Sequence, residues 1–387
     1  MRPLAGITVL DFSTLLPGPL ASLLLAEAGA DVVKIERPRT GEEMRNYAPN
    51  WGRESVNFSL LNRGKKSLAL NLKDPDDRQA LRPLLEKADV LIEQFRPGVM
   101  AKLGLDYETA AAINPGIIYC SITGYGQAGP KRDLAGHDLN YISDTGLLSL
   151  SMGTSTAPVV PPALIADIAG GTYPAVMNIL LALLEKRLTG KGRRLDVAMT
   201  DNLFTFMYWA IGKGRASGQW PGNGTELVTG GTPRYRLYPT GDEKFVAAAP
   251  IEEKFWQTFC ELIELEPGLR DDAENADTIG HRVAEIIRSK PAEHWRRRFA
   301  GKDCCCSIVV SIEEALADPH FKARGIFEHM LINEEGARMP ALPVPIDAAF
   351  RADPQTAIGA PALGSENDEL SKTSGRGPVT QSGETAQ

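Results

Sequence analysis

Short apolar runs alternate with amphipathic stretches along the first part of the chain. Residues 7–12 and 31–36 are typical of buried strands, and residues 20–28 between them are typical of a helix that Gly29 ends. Further strands are predicted at 90–93, 117–122 and 195–199, with helices at 77–88 and 172–189. Strands that alternate with helices pair in parallel through right-handed crossovers. The pattern therefore predicts an α/β fold built on a parallel sheet.

The pattern changes after a glycine-dense stretch at 212–231. A hairpin is predicted at 234–238 and 244–249, followed by helices at 252–265, 278–287 and 291–299 and a strand at 306–310. We therefore divide the chain into four parts. They are a large domain at 1–215, a linker with a smaller α+β domain at 216–330, a segment returning to the large domain at 331–364, and a polar tail at 365–387 that is predicted to be disordered.

Composition narrows the function classes. The formal net charge of −7 argues against general nucleic-acid binding, and because no run of eighteen apolar residues is evident we expect no membrane span. The five cysteines form no CxxC pair and fit no disulfide framework, so we expect a reducing, cytoplasmic setting and no metal. The run Cys304–Cys306 is interpreted as the apolar start of a strand. No G-x-G-x-x-G follows the first strand, which argues against NAD binding.

Two residues suit the removal of a proton from carbon. His137, next to Asp138, precedes an apolar helix-like run, and Asp167 is a lone acid among apolar and small residues at 164–171. A group that titrates near neutral pH and an acid in an apolar setting can serve as acid and base. Each has a plainer alternative, because His137 could pack at a helix start and Asp167 could cap the run toward Gly170.

Cations recur near the ends of three predicted strands. They are Arg37, Arg63 with Lys65 and Lys66, and Arg96. If these ends share one edge of the sheet, they form a basic rim that suits a phosphorylated ligand. Each could also be an ordinary solvated surface charge.

An ordered set of motifs resembles one known family over nearly the whole chain. The motifs are Leu10-Asp11 with Pro17-Gly18-Pro19, the strand at 29–36, Asn62-Arg63-Gly64-Lys65, Phe95-Arg96-Pro97-Gly98, Thr123-Gly124-Tyr125-Gly126 and Leu195-Asp196-Val197-Ala198-Met199. Together they resemble the class III CoA-transferase (CaiB/BaiF) family, which contains formyl-CoA transferase and α-methylacyl-CoA racemase. Gly136-His137-Asp138-Leu139-Asn140-Tyr141 and Ile251-Glu252 before Phe255 resemble the racemase branch, whereas the polar tail from Ser365 departs from it.

The resemblance implies a fold and a site. The expected fold is a Rossmann-like large domain with a smaller α+β domain, in a homodimer whose chains interlock and whose site lies between the large domain of one chain and the small domain of the other. His137 and Asp167 would exchange the α-proton of an acyl-CoA thioester, in keeping with a role in lipid metabolism. The backbone N–H of Asp138 would bind the enolate oxygen, and Glu252 of the partner chain would adjust the site.

The resemblance also implies how CoA is held. Its phosphates would contact Arg37, Arg63, Lys65 and Arg96, and Gly124 and Tyr125 would line the channel for the rest of the molecule. CoA is then part of the substrate, and no separate cofactor is expected. The sequence does not predict which acyl group the thioester carries.

Three functions remain open at this point. The first is a racemase or epimerase of 2-methylacyl-CoA thioesters that works through an enolate. The second is a CoA-transferase in which Asp167 attacks the thioester and carries an aspartyl-CoA intermediate. The third is a CoA-thioester-binding protein without catalysis. In the plainest interpretation Glu252 is only a first-turn helix acid.

Overall fold

A computed structural model describes residues 2–151, 153–154, 157–273 and 275–374. Its strands are β1 Thr8–Asp11, β2 Asp31–Glu36, β3 Asn50–Trp51, β4 Glu54–Ser55, β5 Lys66–Ala69, β6 Val90–Glu93, β7 Ile118–Thr123, β8 Gly153–Thr154, β9 Ala157–Pro158, β10 Arg193–Ala198, β11 Arg236–Pro239, β12 Phe245–Ala248, β13 Cys306–Ile308, β14 Met330–Ile332 and β15 Arg338–Pro340.

The α-helices span more of the chain. They are α1 Pro17–Glu27, α2 Val56–Asn62, α3 Pro75–Lys87, α4 Val99–Lys102, α5 Tyr107–Ile113, α6 Asp138–Asp144, α7 Tyr173–Thr189, α8 Met199–Leu203, α9 Tyr208–Ser217, α10 Glu253–Leu262, α11 Ala276–Arg288, α12 Ala292–Phe299, α13 Ile312–Ala317, α14 Pro319–Ala323 and α15 Asn367–Ser374. A π-helical segment, Ala166–Thr172, runs directly into α7.

The described residues form two compact units. The first unit draws on residues 2–141, 164–203 and 323–374, and the second on the described residues of 142–163 and 204–322. The sequence placed residues 142–163 and 204–215 in the large domain, so this division differs from the predicted boundaries there. The return of the chain after residue 323 to the first unit has the order expected from the sequence.

The first unit is built on one six-stranded parallel sheet, as predicted. Its strand order is β10-β7-β6-β1-β2-β5, and every neighbouring pair is parallel. The interior strands β6 and β7 are buried along their whole length, as expected for strands that helices cover on both faces. Because β1 lies at the point where the strand order reverses, the carboxyl ends of β1, β6 and β7 open a crevice there.

Helix α1 is buried on all sides. Proline occupies its first turn, where the missing N–H costs no hydrogen bond, and the chain leaves the helix through Gly29 at φ 112°. The predicted helix began at residue 20. The structure starts it at Pro17, because Pro17, Gly18 and Pro19 form the first helical turn.

A buried set of charges lies beside α1. The Asp11 carboxylate lies 3.2 Å from the Lys65 ammonium, and the Lys34 ammonium lies 2.6 Å from Glu42, with none of the four side chains more than 1% exposed. Asn62 Oδ1 accepts a further hydrogen bond from Lys65 Nζ at 2.7 Å. Removing one partner of such a set would leave an uncompensated buried charge, at a cost of about 3–5 kcal/mol.

The second unit has its own sheet and core. Strands β11, β12 and β13 form an antiparallel sheet, which confirms the predicted hairpin, and its core includes Trp256, Phe259 and Trp295. Helices α10, α11 and α12 agree with the three predicted helices within a few residues. The stretch predicted to be a linker differs, because α9 extends to Ser217 before the chain becomes irregular.

Among the described residues, the helix Ala166–Thr189 is long and apolar enough to cross a membrane by length and composition alone. It also packs against α1 and strands β7 and β10.

The tail was predicted to be disordered from residue 365. This prediction is wrong for α15, because its Leu370 is 7% exposed and packs in the core of the first unit. Residues 375–387 lie outside the described residues.

We expect Gly192→Ala to destabilise the first unit. A Cβ at this position would lie 2.0 Å from the carbonyl oxygen of Ile117, and strand backbone has little room to move. The expected loss in free energy of unfolding is about 1–3 kcal/mol, measured by urea denaturation. The matched control is Gly212→Ala in α9, where a Cβ meets no atom within 4 Å. Equal stability of the two variants would contradict the proposed close approach.

Candidate active site

A cavity of about 640 Å³ lies at the carboxyl ends of the parallel strands of the first unit. The cavity is lined by residues at the ends of three strands: Thr14, Leu15 and Pro17 after β1, Gln94 to Pro97 after β6, and Thr123 to Tyr125 at the end of β7. His137, Asp167 and other residues of the first unit complete the lining. The two residues singled out for proton transfer therefore share one cavity, at the edge where open α/β sheets bind ligands.

The backbone of His137 is fixed by the residues that follow it. Its N–H donates to Oδ1 of Asn140 at 3.0 Å, and its carbonyl accepts from the N–H groups of Asn140 at 2.8 Å and Tyr141 at 3.2 Å. His137 thus sits immediately before α6 and caps it through the backbone. The side chain stays exposed and lines the cavity.

Asp167 lies in the π-helical segment, not at the helix N-cap that the plainer interpretation required. Single π-turns are rare and often occur at functional sites. The segment approaches α8 closely, because a Cβ on Gly170 would lie 2.5 Å from the carbonyl oxygen of Met199. It is also tied to α1, since Thr172 Oγ1 donates to the carbonyl of Pro17 at 2.8 Å. The position of Asp167 is therefore set by contacts on two sides.

Asp138 contacts Asp167 directly. Oδ1 of Asp138 accepts a hydrogen bond from the backbone N–H of Asp167 at 3.0 Å, and Asp138 is 5% exposed. The sequence assigned a role only to the backbone N–H of Asp138. Asp138 is the first residue of α6, where backbone N–H groups have no partner within the helix, and its role toward an enolate stays a prediction.

The environment of Asp167 favours its neutral form. Burial, followed by the negative charge of Asp138, raises the pKa of Asp167 to about 6, and His137 opposes this shift. A carboxyl group with a pKa near 6 can take up and release a proton close to neutral pH. This agrees with the sequence argument for an acid in an apolar setting.

Tyr141 supports the cavity wall. Its hydroxyl donates to the carbonyl of Gly136 at 2.5 Å, and its ring meets that of Tyr125 edge-on with centroids 5.3 Å apart. A Cβ on Gly124 would lie 2.4 Å from the Tyr141 ring. A side chain at position 124 would therefore force the Tyr141 ring to move away from the end of β7. Gly124 and Tyr125 both line the cavity, and their contact with CoA stays a prediction.

The predicted basic rim is wrong for two of its five cations, which are buried. Arg63 is 2% exposed, and its guanidinium pairs with Glu27 at 2.7 Å and donates to the carbonyls of Leu60 and Leu342. Lys65 belongs to the buried charge set around Asp11. Both cations neutralise buried acids and cannot reach a phosphate from these positions. Burial and the neighbouring Lys34 lower the pKa of Lys65 to about 8, although Asp11 opposes the shift.

Of the other three rim cations, Lys66 is partly exposed and pairs with Asp31 at 2.9 Å, and Arg37 and Arg96 are exposed. Arg96 lines the cavity, and Arg37 lies at the surface, 3.3 Å from Glu43. Sequence reasoning missed Arg132, which also lines the cavity and lies in a loop without a strand-end signal. Glu252 lies in the second unit, exposed and immediately before α10, and its role stays a prediction.

Two further residues of the cavity were also missed. Thr123 is 7% exposed and lines the cavity, as does Gln94, whose Oε1 accepts the N–H of Gly18 at 3.0 Å. Within the described ranges, no group of three or more His, Cys, Asp or Glu side chains is arranged to hold a metal ion.

Comparisons with known proteins find relatives over nearly the whole chain. The family model described as CoA-transferase family III matches residues 4–367. An alpha-methylacyl-CoA racemase of Homo sapiens is 33% identical over 360 residues, which cover 91% of this chain and 90% of that protein. An acetyl-CoA:oxalate CoA-transferase of Acetobacter aceti is 33% identical over 382 residues, covering 96% and 95%.

Solved structures give the same result for the fold. The crystal structure of a CAIB/BAIF family protein from Brucella suis superimposes with a TM-score of 0.79 at 27% identity, covering 96% of this chain and 99% of that one. A racemase and a CoA-transferase therefore both occur among the relatives of this chain at 33% sequence identity.

We expect Asp167→Asn to stabilise the protein more at high pH than at low pH. Because the pKa of Asp167 is raised to about 6, ionising it favours the unfolded state as the pH rises from about 4 through about 6. The variant should therefore gain about 1–2 kcal/mol over the natural protein between about pH 4 and about pH 8, allowing for partial exposure of the carboxyl group.

Urea denaturation across that pH range measures the difference. The exposed residue Glu335, changed to Gln, is the matched control and should show no comparable trend. A stability difference for Asp167→Asn that does not change with pH would contradict the raised pKa.

Proposed function

The chain belongs to CoA-transferase family III, and on that premise we propose that it racemises 2-methylacyl-CoA thioesters by moving the α-proton through an enolate. The observation that carries this proposal is the shared cavity of His137 and Asp167. A racemase needs two proton-transfer groups on opposite faces of one carbon, and these two reach the cavity from different elements of the first unit.

The proposed reaction begins with the acidity of the α-carbon. The thioester carbonyl delocalises the charge left when the proton is removed. In one direction His137 removes the proton and the Asp167 carboxyl group delivers another to the opposite face, and in the reverse direction the roles exchange. The pKa of Asp167, raised to about 6, lets its neutral and ionised forms both be populated near neutral pH.

The enolate oxygen needs a fixed donor. We assign this to the backbone N–H of Asp138, at the start of α6, where the helix dipole also favours an anion. The Asp138 carboxylate is turned toward the N–H of Asp167 at 3.0 Å, so the same residue would bind the oxygen through its backbone and hold the acid through its side chain. Arg96, at the cavity wall, and the exposed Arg37 would receive the CoA phosphates.

A homodimer and a contribution from Glu252 of a second chain belong to this proposal. An apolar stripe on α7 supports the dimer, since Met177, Leu181, Leu184 and Leu188 recur on one helix face and are each 57–88% exposed in the described part of the chain. Large apolar faces of this kind usually pack against a partner.

CoA transfer is the second candidate. A relative named as a CoA-transferase is as similar to this chain as a racemase is, at 33% identity. In that reaction the Asp167 carboxylate attacks the thioester carbonyl and expels the CoA thiolate, leaving a mixed anhydride. The CoA thiolate then attacks the Asp167 carbonyl, which releases the donor carboxylate and forms an aspartyl-CoA thioester. An acceptor carboxylate attacks this thioester, and the expelled CoA thiolate then takes the acceptor acyl group and frees Asp167. His137 favours the racemase, because transfer through Asp167 does not require a second proton-transfer group. A CoA-thioester-binding protein without catalysis would retain the cavity and show neither activity.

The first test is α-proton exchange in deuterated water. We expect 2-methylacyl-CoA to gain one deuterium at the α-carbon without any added carboxylic acid, read by mass spectrometry over a panel of acyl groups. The His137→Ala/Asp167→Asn double variant should lose at least about a hundredfold in racemisation rate. CoA exchange that requires a free carboxylate, with no deuterium uptake, would replace the racemase with the transferase.

The second test is the pH dependence of kcat/KM. The racemase works when the His137–Asp167 pair holds a single proton, so we expect a bell-shaped profile. Its acid limb should lie near pH 6, where the carboxyl group of Asp167 takes up a proton. A transferase needs only the ionised carboxylate, so its rate would fall on the acid side alone. Initial rates over about four pH units distinguish these two profiles.

A further inference from the structure

The side-chain amide of Asn140 has one fixed end. Its Oδ1 accepts the backbone N–H of His137 at 3.0 Å, and the backbone N–H of Asn140 in turn donates to the carbonyl of His137 at 2.8 Å. A backbone N–H can only donate a hydrogen bond, so the oxygen of the amide must face His137. The NH2 group of Asn140 is therefore held on the other side of the amide.

This NH2 group is available to a ligand. Asn140 is exposed and lines the cavity together with His137. Within the part of the chain that the structure describes, no atom accepts a hydrogen bond from Asn140 Nδ2. The neighbouring hydroxyl of Tyr141, by contrast, donates to the carbonyl of Gly136. The Asn140 amide can therefore exchange water for an acceptor atom of a substrate.

The NH2 group also lies close to the proposed proton-transfer site. Because the oxygen and nitrogen of an amide are about 2.2 Å apart, Asn140 Nδ2 lies within about 5 Å of the backbone nitrogen of His137. The backbone N–H of Asp138, assigned above to the enolate oxygen, belongs to the residue that follows His137. Both donors therefore lie beside the proposed base.

An enolate oxygen can accept more than one hydrogen bond. A carbonyl oxygen has two lone pairs, and negative charge on it strengthens each hydrogen bond that it accepts. When His137 removes the α-proton, the electron pair of the C–H bond moves into the enolate and charge grows on this oxygen. The donor from Asp138 leaves one lone pair for a second donor.

We propose that Asn140 is a further catalytic residue, whose Nδ2 donates a second hydrogen bond to the thioester oxygen as it becomes the enolate oxygen. The amide keeps its protons throughout, so it stabilises charge and takes no part in the proton transfer. His137 holds the other end of the amide before substrate binds, and a donor oriented in advance needs no reorganisation during the reaction. The proposal rests on the proposed function, which supplies the enolate.

The test compares two variants that change Asn140 in different ways. Asn140→Asp keeps an oxygen for the N–H of His137 and removes the donor, whereas Asn140→Ala removes both and adds no charge. Loss of the donor is the change that the two variants share. We expect kcat for racemisation to fall about 10²–10³-fold in both, with KM changed less than about threefold. The urea midpoint should fall in Asn140→Ala and stay close to that of the natural protein in Asn140→Asp.

Leu139→Asp is the matched control for the added charge. Leu139 is 45% exposed and lies outside the lining of the cavity as described, so this variant adds a carboxylate one residue away and leaves the Asn140 amide intact. We expect its kcat to stay within about threefold of that of the natural protein, because solvent and salt screen an exposed charge. Circular dichroism checks the fold of each variant, and Asn140→Asp with this control carries the test if Asn140→Ala does not fold.

Three results would overturn the proposal. The first is an Asn140→Asp variant that keeps the kcat of the natural protein, which would leave Asn140 with a structural role only. The others are a change confined to KM, or a loss of kcat in Leu139→Asp as large as that in Asn140→Asp. If the natural protein takes up no α-deuterium, the racemase proposal fails instead. The same variants are then compared by their rates of CoA transfer, in which the thioester oxygen also becomes negatively charged when Asp167 attacks.

Discussion

The carboxylate of Asp11 at the end of β1 is the interaction on which the rest of the site depends. Burial alone would raise the pKa of this fully buried group, but Lys34 and Lys65, together with hydrogen bonds from Ser13 and Ser22, lower it below its usual range. Asp11 is therefore a permanent buried anion, which is tolerated only while its partners stay in place. Ser22 belongs to α1 and Lys65 follows α2, so the carboxylate draws both helices to the end of the strand.

That constraint extends to the proposed catalytic acid through a short series of hydrogen bonds. Lys65 donates to the carbonyl of Pro19 at 2.9 Å, which fixes the first turn of α1, and the carbonyl of Pro17 in the same turn accepts from Thr172 at 2.8 Å. Thr172 ends the π-helical segment that carries Asp167. The cation predicted to bind phosphate thus acts on the site from inside the fold. The chemistry of Asp167 then follows from its own burial and from Asp138, whose carboxylate touches its backbone.

Periodicity predicted most of the fold, because short, mainly apolar strands such as β6 and β7 alternate with helices in the first unit, and α7 is apolar along most of its length. Strand β2 was predicted to the residue, and the parallel sheet followed from the alternation of elements.

The pattern failed where contacts between residues distant in the sequence determine the local structure. It could not tell that Arg63 meets Glu27, a partner 36 residues away, instead of solvent. It could not identify the π-turn at Asp167 either, because that turn depends on glycine packing against α8. His137 and Asp167 were found from residue chemistry, and Asp138 only in part, since its side-chain contact joins two segments.

The most direct test of the two-group account follows α-hydrogen exchange separately for each enantiomer in the two single variants. If His137 and Asp167 act on opposite faces of the same carbon, His137→Ala should still exchange the α-hydrogen of one enantiomer, and Asp167→Asn should exchange only that of the other. Neither variant should interconvert the enantiomers. The measurement is the deuterium content of the recovered (R)- and (S)-2-methylacyl-CoA in deuterated water. Loss of exchange for both enantiomers in either single variant, or the same preferred enantiomer in both variants, would contradict the account.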